Sequence, residues 1–352
     1  QPLVDAMIVR DGRVSAIGDA TALRPTLDRP HKTLDAGGKL VLPGFQDTHI
    51  HHLEGGHHYV DGADLSEPQS PEALVDLLTC YAATTDREWV FGSFYDGAAL
   101  NVGNLNRFVL DRAVPDRPCL IVSADAHNGC MNSKAIEVLG LGKDTPDPSE
   151  GHFVRDADGE LTGLLYEAAV DVVNRKRPPA TDDDYFAGVK FAQSLENRFG
   201  ITAVLDANIN EGFARIYNLM AARGELTTRV AATASVRPGE PVVSALGRLE
   251  KMRQDATDPM FRVHSAKFFL DGVIENRTAA MIAPYSDEAG GNAPLLFPID
   301  EITELFTALD AARFQIHVHA IGDLAVRAAL DGMEAARNAN GAWPSRHQIA
   351  HI

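Results

Sequence analysis

The sequence contains few cysteines, and this shortage argues against a disulfide-stabilised secreted domain. Only three of the 352 residues are cysteines, too few and too scattered for a disulfide framework. Cys80, Cys119 and Cys130 also lack Cys-x-x-Cys spacing. A reducing compartment is therefore the default, and we expect a cytoplasmic protein.

Positive charge and long apolar runs are also scarce. The chain has 32 Lys and Arg against 49 Asp and Glu, which is a formal net charge of −17 at pH 7. Nucleic acid and anionic membrane surfaces repel such a chain, so we expect neither as a partner. No apolar run approaches the roughly 18 residues that a membrane span needs. The expected partner is a small-molecule substrate, and the sequence leaves open whether the chain forms a homodimer.

Against these shortages stand an ordinary globular composition and one motif. The residues are 45% hydrophobic and 23% charged, and a chain of this length can hold one barrel-sized domain with an appendage. Residues 43–51 combine a Pro-Gly pair, Asp47, and the histidines His49 and His51. Side chains two residues apart on a strand point to the same side, so these two imidazoles form half of a metal site. Taken alone, the pattern also fits a surface strand with two incidental histidines.

The second half of the chain alternates between strand and helix patterns. Counting the strand that carries His49, we predict six parallel strands, and the other five cover residues 201–206, 228–236, 262–270, 315–319 and 347–352. The predicted helices cover residues 185–199, 212–223, 241–252, 302–312 and 323–338. Such alternation is typical of an α/β fold with a parallel sheet or a (β/α) barrel.

The first half is less regular. Residues 1–42 are predicted to form a small β unit, with a hairpin at Asp11-Gly12 and further extended pieces in residues 32–42. Residues 53 to about 180 lack a repeating strand–helix pattern, and we interpret them as an insertion that covers the mouth between the first two barrel strands. Within the insertion the patterns predict helices at 71–84 and 132–140, strands at 89–94 and 119–123, and a hairpin that turns at Asp158-Gly159.

Residues 43–51 resemble the first metal motif of the amidohydrolase superfamily. Later segments narrow the resemblance to the YtcJ-like branch, the amidohydrolase-3 type, which includes N-substituted formamide deformylases; these segments are residues 265–272, 276–280, 316–323 and 346–351. The last segment departs from the family pattern at Ala350, where the family usually has an acid. The resemblance implies a metal-dependent hydrolase with a TIM-type (β/α)8 barrel in residues 43–352 and with residues 1–42 in a small β-sandwich domain.

Six barrel strands are visible in the sequence, and the resembled fold has eight. An open six-stranded sheet exposes unpaired edges, so we expect either a truncated chain or a partner chain that supplies the missing strands. The resemblance places a proton-transferring Asp at the end of the eighth strand, which this sequence lacks. We therefore expect this chain, alone in solution, to be inactive.

The resemblance also implies a set of metal ligands. In the superfamily the histidine pair of strand 1 binds one metal, the histidines of strands 5 and 6 bind a second, and a carboxylated lysine of strand 4 can bridge them. Carried over to this sequence, the ligands are His49, His51, Lys267, His319 and His351, and Lys267 and His319 also count as catalytic. The cofactor is then one or two divalent ions, with zinc expected and iron or manganese as alternatives.

The residues themselves leave some of these assignments open. Lys267 also fits a surface or ion-paired lysine, or a hydrogen-bonding group inside the barrel. His317 shares a strand face with His319, so the face alone does not choose between them as the ligand. The register with residues 320–323 favours His319 and leaves His317 as a deeper interior group or as a support for the ligands. His347 shares a face with His351, and we expect it to be structural. The histidines directly after the first motif are expected in a loop, either solvated or facing substrate, and these are His52, His57 and His58.

Three residues are candidates for substrate binding. Asp96 and His127 lie where the resembled family keeps residues of the mouth, and Arg277 follows the lysine strand, where it can grip a carbonyl or carboxylate. Glu167 is a similar candidate. Each of these also fits a turn or capping role, which favours the same residue types.

The chemistry of this set indicates hydrolysis. A divalent ion held by neutral imidazoles lowers the pKa of its water to roughly 7 in favourable zinc sites, which supplies hydroxide. The ion also polarises a carbonyl and stabilises the oxyanion that follows. We therefore predict a metal-dependent hydrolase of C–N bonds in amides or N-formyl groups. The alternatives are a deaminase or another hydrolase on the same scaffold, and a non-catalytic relative that keeps the barrel for assembly.

Overall fold

The computed structural model describes residues 4–100, 105–148, 151–286 and 290–352. The chain divides into two compact units, residues 1–43 and residues 44–352. Within the described residues, no helix is both long and apolar enough to cross a membrane.

The first unit contains the predicted hairpin. Strands β1 (Ala6–Arg10) and β2 (Arg13–Gly18) pair antiparallel, and the turn residues Asp11 and Gly12 have φ of 50° and 74°. Two successive positive φ angles suit the tight turn of a two-residue hairpin. Helix α1 (Ala20–Leu23) follows, capped by the Asp19 carboxylate.

The extended pieces predicted in residues 32–42 do not pair as strands. Residues 27–44 are all described, and they contain no strand. A strand needs a partner for its N–H and C=O groups, and the described part of this unit has only β1 and β2, which pair with each other. The β-sandwich stays a prediction.

The second unit begins with the strand of the histidine motif, β3 (Phe45–Ile50), and helix α2 (His52–Asp61). An insertion follows, and its elements in chain order are β4 (Ala63–Asp64), α3 (Pro71–Ala82), β5 (Val90–Tyr95), α4 (Gly97–Leu100), α5 (Arg107–Ala113), β6 (Cys119–Ser123), β7 (Asn128–Met131), α6 (Ser133–Leu139), β8 (Gly151–Arg155), β9 (Leu161–Glu167) and α7 (Ala168–Asn174). Its strands form a sheet of their own in the order β4-β5-β6-β7-β9-β8. The insertion is thus an organised layer with its own cores.

The remaining elements alternate as predicted. They are α8 (Asp182–Arg198), β10 (Ile201–Ile209), α9 (Glu211–Ala222), β11 (Arg229–Ser235), α10 (Val242–Asp255), β12 (Phe261–Phe269), α11 (Ile299–Ala311), β13 (Gln315–His319), α12 (Asp323–Asn340) and β14 (Gln348–Ala350). The main sheet runs β14-β13-β12-β11-β10-β3 with every neighbouring pair parallel. This curled parallel sheet confirms the α/β fold, and the largest buried cluster packs it against α8 to α12. The closed eight-stranded barrel stays a prediction.

Helix α2 overturns the expectation of a loop after the histidine motif. His52 and His57 lie on this helix and are buried, because α2 packs closely against α8. The approach depends on two glycines: a Cβ on Gly56 would lie 2.3 Å from the Gly188 carbonyl oxygen, and one on Gly188 would lie 2.6 Å from the His57 nitrogen. Both obstacles are backbone atoms, which cannot rotate away.

Replacing Gly188 with alanine is therefore expected to destabilise the protein by about 1–3 kcal/mol, since the two helices must move apart. Urea denaturation measures the change. The matched control is Gly247→Ala in α10, where an added Cβ meets nothing within 4 Å; it should raise stability by up to about 1 kcal/mol through helix propensity. Equal shifts in the two variants would contradict the close-approach explanation.

Candidate metal centre

The histidine pair lies at the carboxyl end of β3, on the first strand of the main sheet. The His49 N–H donates to the Asp47 carboxylate at 3.0 Å, and His51 directly precedes α2. The two imidazole centroids are 5.8 Å apart with planes at 76°. The two imidazole rings of the motif therefore lie next to each other.

Two other segments bring further histidines to this pair. On β13, His317 is 1% exposed and its Nε2 lies 2.9 Å from Nδ1 of His49. His351 follows β14, and its ring centroid is 4.8 Å from that of His49 and 4.7 Å from that of His319. The first, fifth and sixth strands of the sheet thus converge on one cluster, which we call the histidine cluster (His49, His51, His317, His319 and His351).

Lys267 on β12 completes this group. Lys267 is 0% exposed, which excludes the interpretation as a surface lysine. In the pairing of β12 with β13, Lys267 lies opposite His317. Within the described residues Nζ has no hydrogen-bond partner, and it lies 4.5 Å from the ring centroid of Phe269. Burial lowers the pKa of Lys267 to about 7, so the amine is far easier to deprotonate than an exposed one.

Burial also keeps the imidazoles neutral. Burial first, and then the charge of Lys267, lower the pKa of His49 to about 3 and that of His51 to about 4. Burial likewise lowers the pKa of His319 to about 3. Metal ligation requires neutral imidazoles, and at pH 7 these side chains are neutral.

The chemistry of these donors fits a divalent cation. Nε2 of His49, Nδ1 of His51 and Nζ of Lys267 are buried and lack hydrogen-bond partners within the described residues, and such atoms cost free energy unless something binds them. The candidate ligands do not yet have the spacing of a bound metal site, however. In the described parts of the chain, no group of three His, Cys, Asp or Glu side chains has the spacing of a formed metal site. His319 donates Nε2–H to the Gly272 carbonyl at 3.2 Å. Its Nδ1 therefore carries the lone pair that a metal ion can take.

His127 and Glu167 form a pair beside the histidine cluster. Nδ1 of His127 lies 2.6 Å from the Glu167 carboxylate, and the His127 ring centroid is 5.6 Å from that of His319. The other Glu167 oxygen accepts from the Thr278 hydroxyl at 2.6 Å and from Asn276 at 3.2 Å. Burial alone lowers the pKa of His127, but the hydrogen bond and charge of Glu167 outweigh it and the net shift is upward.

Asp96 and Arg277 carry structural contacts. Asp96 is exposed after β5, and its carboxylate accepts the Ala98 N–H at 2.8 Å. The Arg277 guanidinium lies 4.8 Å from the Tyr285 ring centroid and donates to the Gly290 carbonyl. These contacts fit the turn and capping roles, and substrate binding by either residue stays a prediction.

Asp271 is a residue of the site that was not predicted from the sequence. Asp271 follows β12 and is 1% exposed; its carboxylate accepts the N–H groups of Ala280 at 3.0 Å, Ile321 at 3.0 Å and Gly322 at 2.7 Å. It therefore joins the loop after β12 to the loop after β13. His319 is the last residue of β13, directly before that second loop. The signal that could have found it is an acidic residue placed before a glycine at a strand end.

A second polar network lies behind the histidine pair. His52 was expected in a loop, but its Nδ1 lies 3.0 Å from the Tyr217 hydroxyl and its Nε2 lies 3.4 Å from Glu196. Tyr217 donates to Asp206 at 2.6 Å, so its oxygen accepts from His52 and leaves Nε2 of His52 as an acceptor. Burial raises the pKa of Glu196 to about 7, so this carboxyl holds its proton more readily than an exposed one.

Glu196→Gln is expected to flatten the dependence of stability on pH. Because the pKa of Glu196 is about 7 in the folded protein and 4.5 as an ordinary carboxyl, the folded state holds an extra proton between these values. Wild-type stability should then fall by roughly 3 kcal/mol as pH rises through this window, and the glutamine variant should lack that component. Urea denaturation from pH 5 to 8 measures the difference, with Glu304→Gln as the control, since Glu304 is an exposed residue of α11. Parallel pH profiles for wild type and Glu196→Gln would contradict the prediction.

Fold and site together define a class of protein, an α/β scaffold with histidines and a lysine at the strand ends. A sequence profile described as "Amidohydrolase family" matches residues 32–352. The chain belongs to the amidohydrolase family, which confirms the resemblance read from the sequence.

Two curated relatives match over most of this chain. "Putative amidohydrolase YtcJ" of Bacillus subtilis (strain 168) is 27% identical over 96% of the chain and 64% of its own length. "N-substituted formamide deformylase" of Arthrobacter pascens is 27% identical over 96% of the chain and 63% of its own length. The chain thus spans slightly less than two thirds of the length of each relative.

Two solved structures share the fold. An uncharacterized metal-dependent hydrolase from Pyrococcus horikoshii OT3 superposes with a TM-score of 0.68 at 23% identity, over 97% of this chain and 65% of that one. An uncharacterized metal-dependent hydrolase from Pyrococcus furiosus has a TM-score of 0.66 at 27% identity, over 97% of this chain and 67% of that one.

Proposed function

We propose that the protein is a metal-dependent hydrolase that cleaves the C–N bond of small amides or N-formyl compounds. The observation that carries this proposal is the convergence of several imidazoles at the strand ends of the main sheet, beside the Lys267 amine, which has no hydrogen-bond partner within the described residues. The choice of a C–N bond draws on the relative named N-substituted formamide deformylase.

The residues that would hold the metal are His49, His51, His319 and His351, with Lys267 as a bridging ligand after carboxylation. One or two ions would bind, zinc first, with iron or manganese as alternatives. When bound, such an ion supplies a hydroxide near neutral pH and polarises the substrate carbonyl. The uncharged imidazoles bind a cation without first losing protons.

His127 is the residue of this chain that would meet the substrate beside His319. Its Nδ1 is committed to Glu167, so Nε2 is the nitrogen that can face a bound molecule. In its protonated form Nε2–H can donate to the substrate carbonyl or give a proton to the departing amine. Asn276 and Thr278 hold the Glu167 carboxylate and so keep the imidazole in one orientation.

The test is a substrate screen of the full-length protein, loaded with zinc, iron or manganese in turn. N-formyl amines, N-acyl amines and amino-heterocycles are offered together, and products are identified by mass spectrometry. We expect formate or another carboxylate with its free amine, and no product after metal removal by chelation. Ammonia from the amino-heterocycles with intact amides would overturn the bond assignment. Equal turnover with and without metal would overturn the metal-dependent mechanism.

A further inference from the structure

His317 makes a contact that the proposed chemistry does not use. Its Nε2 lies 2.9 Å from Nδ1 of His49, although the two residues are 268 positions apart in the sequence. At its other end, Nδ1 lies 3.5 Å from the Thr233 hydroxyl, which is 0% exposed. Thr233, His317 and His49 therefore form a line of hydrogen-bonding groups that ends at Nε2 of His49.

The proton between the two imidazoles has only two possible positions. A hydrogen bond between two imidazole nitrogens needs a proton on one of them and a lone pair on the other. If His317 donates, His49 must carry its own N–H on Nε2. That buried N–H would have no hydrogen-bond partner within the described residues, and its hydrogen would block the binding of a cation at Nε2. If His49 donates from Nδ1, its Nε2 keeps the lone pair that a metal ion can take.

The second arrangement also satisfies the far end of the line. With Nε2 accepting from His49, the single proton of His317 lies on Nδ1, from which it can donate to the Thr233 oxygen. Every N–H in the line then has an acceptor, and both hydrogen bonds point the same way, from His49 through His317 to Thr233.

We propose that His317 is a positioning residue that holds His49 as the Nδ1–H tautomer and so presents Nε2 of His49 to the metal. The consequence for metal binding rests on the proposed function, whereas the tautomer is a property of the protein without metal. A ligating histidine commonly donates its second N–H to a carboxylate, a carbonyl or water; here the acceptor is a neutral imidazole, which orients the ring without adding negative charge.

Two variants of nearly equal size separate this role from simple packing. His317→Gln keeps a strong acceptor, since its amide oxygen can replace Nε2, whereas His317→Met keeps the volume but offers only a weak one. The zinc dissociation constant is measured on the full-length protein by competition with a chromophoric chelator. Long-range ¹H–¹⁵N spectra of the metal-free protein report the tautomer of His49, assigned by comparison with His49→Ala. Thermal unfolding shows that each variant is folded.

We expect His49 to be protonated on Nδ1 in the wild type and in His317→Gln, with zinc affinity conserved between them. In His317→Met the tautomer should become mixed and zinc should bind about 10- to 100-fold more weakly. An Nε2–H tautomer in the wild type, or equal zinc affinity in wild type and His317→Met, would overturn the proposal. An equal loss in both variants would show that His317 is itself a ligand and would also overturn it.

The same experiment separates this inference from the proposed function. If wild-type protein binds no zinc, the metal centre is wrong, while the spectra of the metal-free protein still decide the tautomer. If zinc binds and depends on His49 but not on the acceptor at position 317, only the role of His317 fails.

Discussion

His49→Ala is expected to weaken metal binding by more than about 100-fold and to abolish metal-dependent hydrolysis. Loss of an outer partner of a ligand already costs about 10- to 100-fold in affinity, and loss of a donor atom removes a bond outright. His49 also lies at the centre of the cluster, in ring contact with His51, His317 and His351. Elemental analysis of the purified protein and the substrate screen measure the two effects.

His319→Ala should lose metal in the same experiment, because its ring and that of His49 both contact His351. The matched control is His152→Ala, which removes an exposed histidine from β8 in the insertion. It should keep the wild-type metal content. Near-stoichiometric metal in His49→Ala and His319→Ala would contradict the site.

Lys267→Met is expected to change activity and stability in opposite directions. The lysine is 0% exposed and its amine has no hydrogen-bond partner within the described residues. A buried charge without a partner is costly, and an apolar side chain of similar volume removes that cost. The metal-free variant should therefore be more stable than metal-free wild type by about 1–4 kcal/mol. Hydrolysis should be lost, because methionine cannot be carboxylated.

The pH dependence of this gain has a definite sign. The pKa of Lys267 is lowered from 10.5 to about 7 in the folded protein, so the unfolded chain holds the extra proton between these values. Metal-free wild type should gain stability as pH rises from 7 towards 10.5, and the advantage of Lys267→Met should shrink over the same range. Chemical denaturation at several pH values measures it, with exposed Lys176→Met as the control. A destabilised Lys267→Met protein would show that the amine makes bonds in the native state.

The sequence by itself determined the α/β architecture of the second half. Apolar runs that alternate with helical patterns from Asp182 onward predicted the parallel strands β10 to β14, and each strand formed close to its predicted place. The same logic located most of the cluster, because side chains at the carboxyl ends of parallel strands meet at one edge of the sheet. His49, His51, Lys267 and His319 could therefore be selected without coordinates.

The tertiary structure decided what periodicity cannot express. A strand pattern shows that His317 and His319 share a face, but the depth of each and the contact of His317 with His49 depend on the curl of the sheet. The pairing of His127 with Glu167, and the burial of His52 on α2, likewise depend on which segments pack together. Residues 32–42 illustrate the same limit in the other direction, because an extended pattern becomes a strand only when another strand pairs with it. Local sequence sets the direction of each side chain, whereas packing between distant segments sets its partner, its burial and hence its protonation.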